Sequence, residues 1–314
     1  MQKILVMFFL LMFSACGQKD EPVLPVVEEG FVEVTGGRVW YRIIGKEQKG
    51  TPLLVLHGGP GVPHDYLEPL EALAGERPVI FYDQLGCGNS DRPGDTSLYS
   101  VARYVEELTL VRETLAPGNI HLLGQSWGTM LAVEYLLRNQ PGGVKSLTLS
   151  APYLSTALWE ADQQDWINQL PEATADTIRA CEARSDFDSP AYQEALMVFY
   201  NKHVCRMNPW PDCMIRSMEK MGSDVYNYMW GPSEFTMNGS LKNADLTPDL
   251  PHLQLPVLFT CGELDEATPE TTRFYSSLIP GSKMITITMA SHSHHLEKQA
   301  LYLQTVRGFL AECE

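Results

Sequence analysis

The sequence predicts an α/β fold in which a mostly parallel central sheet carries helices on both faces. Two observations predict it: short apolar segments recur along the chain, and amphipathic segments lie between most of them. Buried strands that alternate with helices form parallel sheets covered on both sides. A length of 314 residues and a hydrophobic content of 44% suit one large domain with a real core.

The N-terminal residues 1–16 resemble a bacterial lipoprotein signal. Lys3 precedes an apolar run at residues 4–13, which is too short to span a bilayer, and "FSAC" ends at Cys16. We predict that Cys16 is lipidated and holds the protein to a membrane of the bacterial cell envelope. The acidic, Pro-containing residues 17–29 are then a linker. The alternative is an ordinary secretory signal in which the cysteine has no role.

The core is predicted at residues 30–153 and 245–314. Alternating apolar and polar residues around Gly36 and Gly37 indicate a β-hairpin at residues 31–45. Apolar residues at three- and four-residue steps predict helices at residues 99–116 and 128–141. Short apolar runs predict further strands at residues 52–58, 78–83, 120–126, 144–152, 256–262 and 283–289.

Residues 154–244 do not follow this alternation. The segment is rich in Trp, Met, Tyr and Pro and lacks strand-like runs, so we predict a helical insertion that caps the core. Cys181, Cys205 and Cys213 lie in this region, and two of them could pair outside the cytoplasm, although spacing does not give the pairing.

Charge and cysteine spacing exclude two classes of site. The formal net charge is −16, and no cluster of Lys and Arg is present that could bind phosphates, so a nucleic-acid surface is not expected. No CxxC or Cys/His spacing resembles a zinc site. We therefore predict no metal and no cofactor.

The segment "GQSWG", Gly124 to Gly128, has the pattern G-x-S-x-G between a predicted strand and a predicted helix. A sharp strand-to-helix turn needs glycine on both sides of the serine, and it presents the serine oxygen at the head of the sheet. Ser126 is therefore the candidate nucleophile. The alternative is a serine that only caps the helix.

A nucleophilic serine also needs amide donors for the oxyanion of the intermediate. The amide of Trp127 follows the nucleophile, and the strand-end loop "LHGGPG" brings the backbone of Gly59 into range of a second position. His57 lies before these glycines, where we expect a structural hydrogen-bonding role instead of a catalytic one.

Five segments together resemble the proline iminopeptidase family, which comprises serine exopeptidases of the α/β-hydrolase fold. They are "HGGPG" (57–61), "YDQLGCGNSD" (82–91), "GQSWGT" (124–129), "GPSEF" (231–235) and "GELDEATPE" (262–270), and they follow the family's order. The resemblance implies cleavage of an N-terminal residue, often proline, by a Ser-Asp-His triad beneath a helical cap.

Three acids follow one predicted strand, and the resemblance gives each a different role. Asp265 takes the position of the triad aspartate, which orients the histidine. Glu266, together with Glu234 of the cap, is implied to bind the protonated α-amine of the substrate. Glu263 is expected to be solvated or structural. The alternative for Glu234 is an exposed acid with no partner.

The segment "MASHSHHLEKQ" offers several histidines. The family pattern selects His292 as the triad histidine, with Ser291 before it and Glu297 five positions after it. His295 is the second candidate for this role.

These assignments predict a serine exopeptidase that acts through an acyl-enzyme on peptides with a free N-terminus, preferably proline. The alternatives are an aminopeptidase or amidase of the same family with another preference, a plain esterase, or a catalytically silent surface-binding lipoprotein. Cys87 and Cys261 lie on loops expected near the site, so we predict that bulky thiol reagents inhibit by obstruction.

Overall fold

A computed structural model describes residues 25–314, which are built around an eight-stranded sheet. The first strand pairs antiparallel with the second, which pairs antiparallel with the fourth, and all other neighbours are parallel. The predicted mostly parallel α/β fold is therefore confirmed. The strands are β1 Val27–Val34, β2 Gly37–Ile44, β3 Leu53–Leu56, β4 Val79–Tyr82, β5 Ile120–Ser126, β6 Val144–Pro152, β7 Val257–Gly262 and β8 Lys283–Ile287, in the spatial order β1-β2-β4-β3-β5-β6-β7-β8.

Helices cover the sheet and fill the segment between β6 and β7. The helices predicted at residues 99–116 and 128–141 are α1 Val101–Leu115 and α2 Trp127–Asn139, and the second begins one residue earlier than predicted. The later α-helices are α3 Thr156–Asn168, α4 Glu172–Arg184, α5 Pro190–His203, α6 Asp212–Glu219, α7 Ser223–Met229, α8 Pro269–Leu278, α9 His294–Glu297 and α10 Gln299–Glu312, and 3-10 helices lie at His64–Leu73, Thr96–Leu98 and Leu250–His252.

The central strands are apolar on both faces. In β3, Leu54 and Leu56 pack with α1 and α2 on one side, whereas Leu53 and Val55 pack with α10 and the 3-10 helix on the other side. Side chains alternate between the faces of a strand, so burial of both faces requires a continuous apolar run. The continuous apolar run of each central strand is the sequence signal that predicts it.

The N-terminal boundary differs from the prediction. β1 begins at Val27, which pairs with Ile44, so the last three residues of the predicted linker 17–29 belong to the sheet. The predicted signal 1–16, including Cys16, and residues 17–24 lie outside the described residues. Within residues 25–314, no helix combines the length and the apolar character needed to cross a membrane.

Residues 154–244, predicted as the cap, contain α3 to α7 and have their own small apolar clusters. Cys181 packs with Tyr192 and Leu196 in one of these, whereas Cys205 packs in the core cluster beneath the sheet. All the cysteines of the described residues are free, so the disulfide considered among Cys181, Cys205 and Cys213 is not formed. Their side chains belong to different packing units.

Candidate active site

Ser126 lies at the end of β5, in the sharp turn that leads into α2. Its backbone has φ 54° and ψ −125°, a strained conformation for a residue with a side chain. A Cβ at Gly124 would lie 2.3 Å from the Gly128 carbonyl oxygen, and a Cβ at Gly128 would lie 2.3 Å from that of Leu56. Only glycine fits at either position, as the sequence predicted. Ser126 is partly exposed and lines a cavity that lies between the core and residues 154–244.

The loop after β3 lies against Ser126. A Cβ at Gly58 would lie 2.9 Å from the Cβ of Ser126, so the glycine allows this close approach. The amide of the following residue, Gly59, donates to no other group within residues 25–314, and Gly59 lines the same cavity. The amide of Trp127 opens α2, where helical amides have no partner in a preceding turn. Both predicted oxyanion donors therefore lie beside the candidate nucleophile.

His57 has the structural role expected from its position. It is fully buried, and its Nε2 accepts a hydrogen bond from the amide of Gln84 at 2.9 Å. Burial lowers the pKa of His57 to about 4, which keeps the ring neutral. The side chain of Gln84 also accepts from the Trp127 indole at 2.9 Å, so His57 helps to fix the start of α2.

Asp265 and His292 are paired at the ends of β7 and β8. The Nδ1 atom of His292 lies 2.8 Å from Oδ1 of Asp265. The carboxylate also accepts from the amides of Gly262 at 3.0 Å and Ala267 at 2.9 Å. Burial alone would raise the pKa of Asp265, but the neighbouring His292 and then His294 hold this pKa below its ordinary value. An ionised aspartate is thus fixed against the imidazole.

A second histidine lies on the other side of the same aspartate. Nδ1 of His294 is 3.6 Å from Oδ2 of Asp265, and Nε2 of His294 is 3.1 Å from Oγ of Ser150 and 3.0 Å from that of Thr260. Ser150, Asp265 and His294 therefore also form a serine-histidine-aspartate arrangement. However, Ser150 and His294 have no exposed surface and do not line the cavity. Ser126 and His292 do, and only they are accessible to a substrate.

The loop that carries His292 is fixed by the serine and glutamate that the family pattern selected. Ser291 donates to Glu297 through both its hydroxyl and, at 3.2 Å, its amide. Arg206 of the cap donates its amide to the same carboxylate at 3.0 Å. The reserve candidate, His295, is fully buried and its Nε2 bonds the carbonyl of Tyr66 at 3.1 Å. Burial lowers the pKa of His295 to about 3, so it is a structural residue.

The two glutamates expected to bind an amine line the cavity beside the candidate triad. Glu266 is 5% exposed, and its Oε1 lies 3.5 Å from Nε2 of His292. Glu234 comes from the loop after α7, and its Oε2 accepts from the hydroxyls of Tyr200 at 3.0 Å and Tyr226 at 3.2 Å. Glu234 is therefore not a free surface acid, since two hydroxyls hold its carboxylate inside the cavity.

These two carboxyl groups have no cationic side chain among the residues that line the cavity. Burial, and then the negative charges of Glu234 and Asp265, raise the pKa of Glu266 well above its ordinary value. Burial also raises the pKa of Glu234, against the effect of the Tyr200 hydroxyl. Two neighbouring acids with no Lys or Arg of residues 25–314 in the cavity lining form a strong site for a cation.

The cavity has a volume of about 280 Å³ and lies between the core and the cap. One end of the cavity is charged, and there the core contributes Ser126, Gly59 and His292 to the lining. The rest of the lining is mainly apolar and aromatic and comes mostly from the cap: Trp159, Leu196, Trp210, Met214, Met218 and Trp230. A charged end and an apolar remainder suit a ligand that has one ammonium group and an apolar body.

Sequence reasoning missed the cap residues that fix the Asp265 turn. The side chains of Gln163 and Trp166 donate to the carbonyls of Glu266 at 3.2 Å and Asp265 at 2.9 Å. His203 of α5 bonds the carbonyl of Leu264 at 2.9 Å. The only signal in the sequence was the Trp- and Gln-rich segment "DQQDWINQ". It was predicted to belong to the cap, but no contact with the Asp265 turn was predicted for it. The cap therefore positions the core turn as well as covering it.

Other expectations from the sequence have different outcomes. Glu263 is exposed and accepts from the amide of Met289 at 2.8 Å, as expected for a structural acid. Cys87 and Cys261 are fully buried and do not line the cavity, so their expected position at the site was wrong, and inhibition by obstruction at these thiols is no longer expected. Within residues 25–314, no group of three His, Cys, Asp or Glu side chains is arranged to hold a metal ion.

Comparisons with known proteins agree with this geometry. Residues 51–299 match the family model described as alpha/beta hydrolase fold. The chain is similar to a proline iminopeptidase of Heyndrickxia coagulans, with 47% identity over 90% of this chain and 98% of that protein. A proline iminopeptidase of Lactobacillus crispatus is 39% identical over 90% of this chain and 98% of its own length.

Two solved structures are similar over nearly the whole described chain. The crystal structure of a proline iminopeptidase of Mycobacterium smegmatis has a TM-score of 0.84 and 35% identity, and the match covers 91% of this chain and 98% of that one. The structure of VinJ has a TM-score of 0.87 and 32% identity, with 91% and 99% covered. The resemblance noted in the sequence is confirmed, and the chain belongs to the proline iminopeptidase family of α/β-hydrolase-fold proteins.

Proposed function

We propose that this protein is a serine exopeptidase that releases the N-terminal residue, preferably proline, from peptides with a free N-terminus. The observation that carries the proposal is the pair of acids Glu234 and Glu266, which lies beside Ser126 and His292 in a cavity that no Lys or Arg of residues 25–314 lines. The family relatives named proline iminopeptidase support the same reaction and the preference for proline.

In this reaction Ser126 attacks the carbonyl carbon of the first residue, and Nε2 of His292 accepts the serine proton. The amides of Gly59 and Trp127 stabilise the oxyanion. His292 then gives its proton to the departing amine, and water releases the first residue from Ser126 in a second step. Asp265 holds the imidazole through the 2.8 Å contact with Nδ1 and stabilises its cationic form.

The position of Glu266 restricts cleavage to the first peptide bond. Its Oε1 lies 3.5 Å from Nε2 of His292, so an ammonium group bound there is next to the reacting carbonyl. In a peptide, only the Cα atom separates the α-amine from the carbonyl of the same residue. A substrate with a further residue before the cleaved one would place an uncharged amide against the two acids. The acids would then have no cation to bind, so such a substrate should bind poorly.

The cavity also supports a second candidate, an aminopeptidase or amidase that prefers a residue other than proline. Its volume of about 280 Å³ is close to the ~300 Å³ at which pockets hold drug-sized ligands. Leu196, Trp210 and Met214 extend the apolar lining beyond the acids, where a larger first side chain would fit.

A substrate panel tests the proposed function. Prolyl, alanyl and leucyl p-nitroanilides are compared with their N-acetyl forms and with p-nitrophenyl acetate. We expect cleavage of the free-amine forms, fastest for prolyl, and a loss of at least about 100-fold on acetylation. A faster alanyl or leucyl substrate would favour the second candidate. Equal rates for free and acetylated forms would contradict both and leave a plain esterase, and no cleavage of any substrate would leave a silent binding protein.

We also propose that Cys16 carries a lipid that attaches the enzyme to a membrane of the bacterial cell envelope. The proposal rests on the signal-like residues 1–16 alone. A Cys16→Ala variant and the unchanged chain are expressed in bacteria fed an alkyne-tagged fatty acid. We expect the tag and membrane fractionation only for the unchanged chain. Tagging of the variant, or no tagging of either chain, would contradict the lipid anchor.

A further inference from the structure

Both ring nitrogens of His292 face a carboxyl group. Nδ1 lies 2.8 Å from Asp265, as a triad histidine requires, but Nε2 lies 3.5 Å from Oε1 of Glu266. Within residues 25–314, no hydrogen bond joins the hydroxyl of Ser126 to this nitrogen, although both residues line the cavity. The atom that must accept the serine proton therefore faces an acid that the proposed function assigns to the substrate.

The groups around this contact are acids and hydroxyls. The turn after β7 provides Asp265 and Glu266, the loop after α7 provides Glu234, and α5 and α7 provide Tyr200 and Tyr226. Glu182 of α4 adds a further negative charge near Glu234. His294 faces the far side of Asp265. Because no Lys or Arg of the described residues lines the cavity, none of them competes for a proton shared between Glu266 and His292 in the ligand-free protein.

We propose that Glu266 masks the general base His292 in the ligand-free protein and that the α-ammonium group of the substrate removes the mask. This inference rests on the proposed function. One proton is shared between Oε1 of Glu266 and Nε2 of His292, so Nε2 is engaged whichever atom holds the proton. A bound ammonium group donates its own hydrogens to Glu266, the shared proton leaves to solvent, and Nε2 becomes free to accept from Ser126.

The consequence is that the amine controls the chemical step as well as binding. A ligand without a cation leaves Nε2 engaged and lowers the fraction of enzyme with a free base. Specificity for free N-termini is therefore expressed in kcat and not only in KM.

The test separates the amine from the reacting group. Ser126 is labelled with diisopropyl fluorophosphate, in which the serine oxygen bonds phosphorus, fluoride leaves and His292 accepts the serine proton. The labelling rate of the full-length protein is measured between about pH 5 and pH 8, around the ordinary pKa of histidine. Pyrrolidinium chloride is added up to saturation, and cyclopentanol, of similar size but uncharged, is the control at matched ionic strength.

We expect pyrrolidinium to increase the labelling rate at about pH 6 by about three- to ten-fold, because it frees Nε2 of His292 to accept the serine proton. Cyclopentanol should have no effect. The Glu266→Ala variant should label without pyrrolidinium at about the rate of the saturated wild-type protein and should not respond to pyrrolidinium. Glu263→Ala removes an exposed acid from the same turn and should behave as the wild-type protein does.

The result for the wild-type protein alone can overturn the inference. The test is therefore valid even if the Glu266→Ala variant does not fold. If pyrrolidinium leaves the labelling rate unchanged at every pH while free-amine substrates are still preferred, Glu266 only binds the amine. In that case the proposed function stands and the mask does not. If the protein instead cleaves free and acetylated substrates equally, the proposed function fails and this inference fails with it.

Discussion

The core and the cap position their functional residues in different ways. In the core, Ser126 and its neighbours are set by backbone packing: the glycines at 124 and 128 lie where any Cβ would meet a carbonyl at 2.3 Å. In the cap, Glu234 is set by side chains, since two tyrosine hydroxyls bond its carboxylate. The core therefore fixes the chemistry with little freedom, whereas the cap fixes the choice of substrate with contacts that substitution can change.

The apolar packing of the two regions shows the same contrast. The core clusters extend over both faces of the sheet, whereas the cap has small clusters, such as the one around Ile178 and Phe199. Loss of a buried apolar side chain of the core should lower the stability of the fold and, with it, the activity. Loss of a polar cap side chain should change selectivity and leave the fold intact. The predictions below test this division, from the largest expected effect to the smallest.

The largest effect is expected for Ser126→Ala. The substitution removes the nucleophile but not the glycine turn, so turnover should fall by a factor on the order of 10⁴ or more on every substrate. The thermal midpoint should be about unchanged, since Ala keeps the Cβ and the hydroxyl of Ser126 makes no hydrogen bond within residues 25–314. Activity on prolyl p-nitroanilide and p-nitrophenyl acetate measures this. Retention of either activity would exclude the proposed mechanism.

A smaller and selective loss is expected for Glu234→Gln. The ammonium group of the substrate loses one charged partner, so kcat/KM for free-amine substrates should fall by about 100-fold. Hydrolysis of p-nitrophenyl acetate should change by less than about three-fold. Glu219→Gln, which neutralises an exposed acid of α6, is the matched control and should leave both activities unchanged. Equal losses on the two substrates would show that Glu234 does not select the amine.

The pH dependence of KM tests the same carboxyl group without a substitution. Burial raises the pKa of Glu234 in the folded protein. As the pH falls through this raised value, the carboxylate takes up a proton and loses its attraction for an ammonium group. KM for prolyl p-nitroanilide should therefore rise at a pH above the ordinary range of glutamate, and KM for p-nitrophenyl acetate should not. A parallel rise for both would contradict this.

The difference between the regions also explains what the sequence could predict. Ser126, Asp265 and His292 lie at strand ends, where a buried apolar run and its glycines identify the position within a few residues. The roles of Tyr200 and Tyr226 were not predicted. They depend on how α5 and α7 pack around Glu234, and a tyrosine in a helix has the same sequence pattern whether it bonds a carboxylate or fills a core.

Histidines near residue 292 show a second limit. The segment contains three of them, and His292, which the family pattern selected, is the one that lines the cavity. The position of His294 against the far side of Asp265 was not predicted. It depends on how the start of α9 packs against β6 and β7. A buried histidine beside a catalytic acid is invisible to spacing alone.

An intermediate effect is expected for His294. Its Nδ1 lies 3.6 Å from Oδ2 of Asp265, and the tautomer with hydrogen on Nδ1 is favoured because a bare lone pair would face an anion. His294→Leu removes this hydrogen and should lower kcat about ten-fold, the equivalent of one hydrogen bond of ~1.4 kcal/mol. KM should change by less than about two-fold. His294→Asn keeps an N–H near the position of Nδ1 and should recover most of kcat.

The pair of variants separates positioning from stability. Both remove the contacts that Nε2 makes with Ser150 and Thr260, so both should lower the thermal midpoint. If His294 acts only by packing, the two variants should lose kcat equally. A difference in kcat at similar thermal midpoints would assign His294 to the orientation of Asp265.

The smallest effect is expected for thiol reagents, because the cysteines near the site are buried. Cys87 and Cys261 of the core are fully buried, and burial raises the pKa of the Cys261 thiol to about 12, so neither presents a reactive thiolate. Cys213 of α6 is partly exposed. A bulky maleimide should label Cys213 in the native protein, spare Cys87 and Cys261, and lower turnover by less than about two-fold. Mass spectrometry locates the label, and strong inhibition together with label on Cys87 or Cys261 would mean that the core opens around the site, against the rigid placement of its catalytic groups.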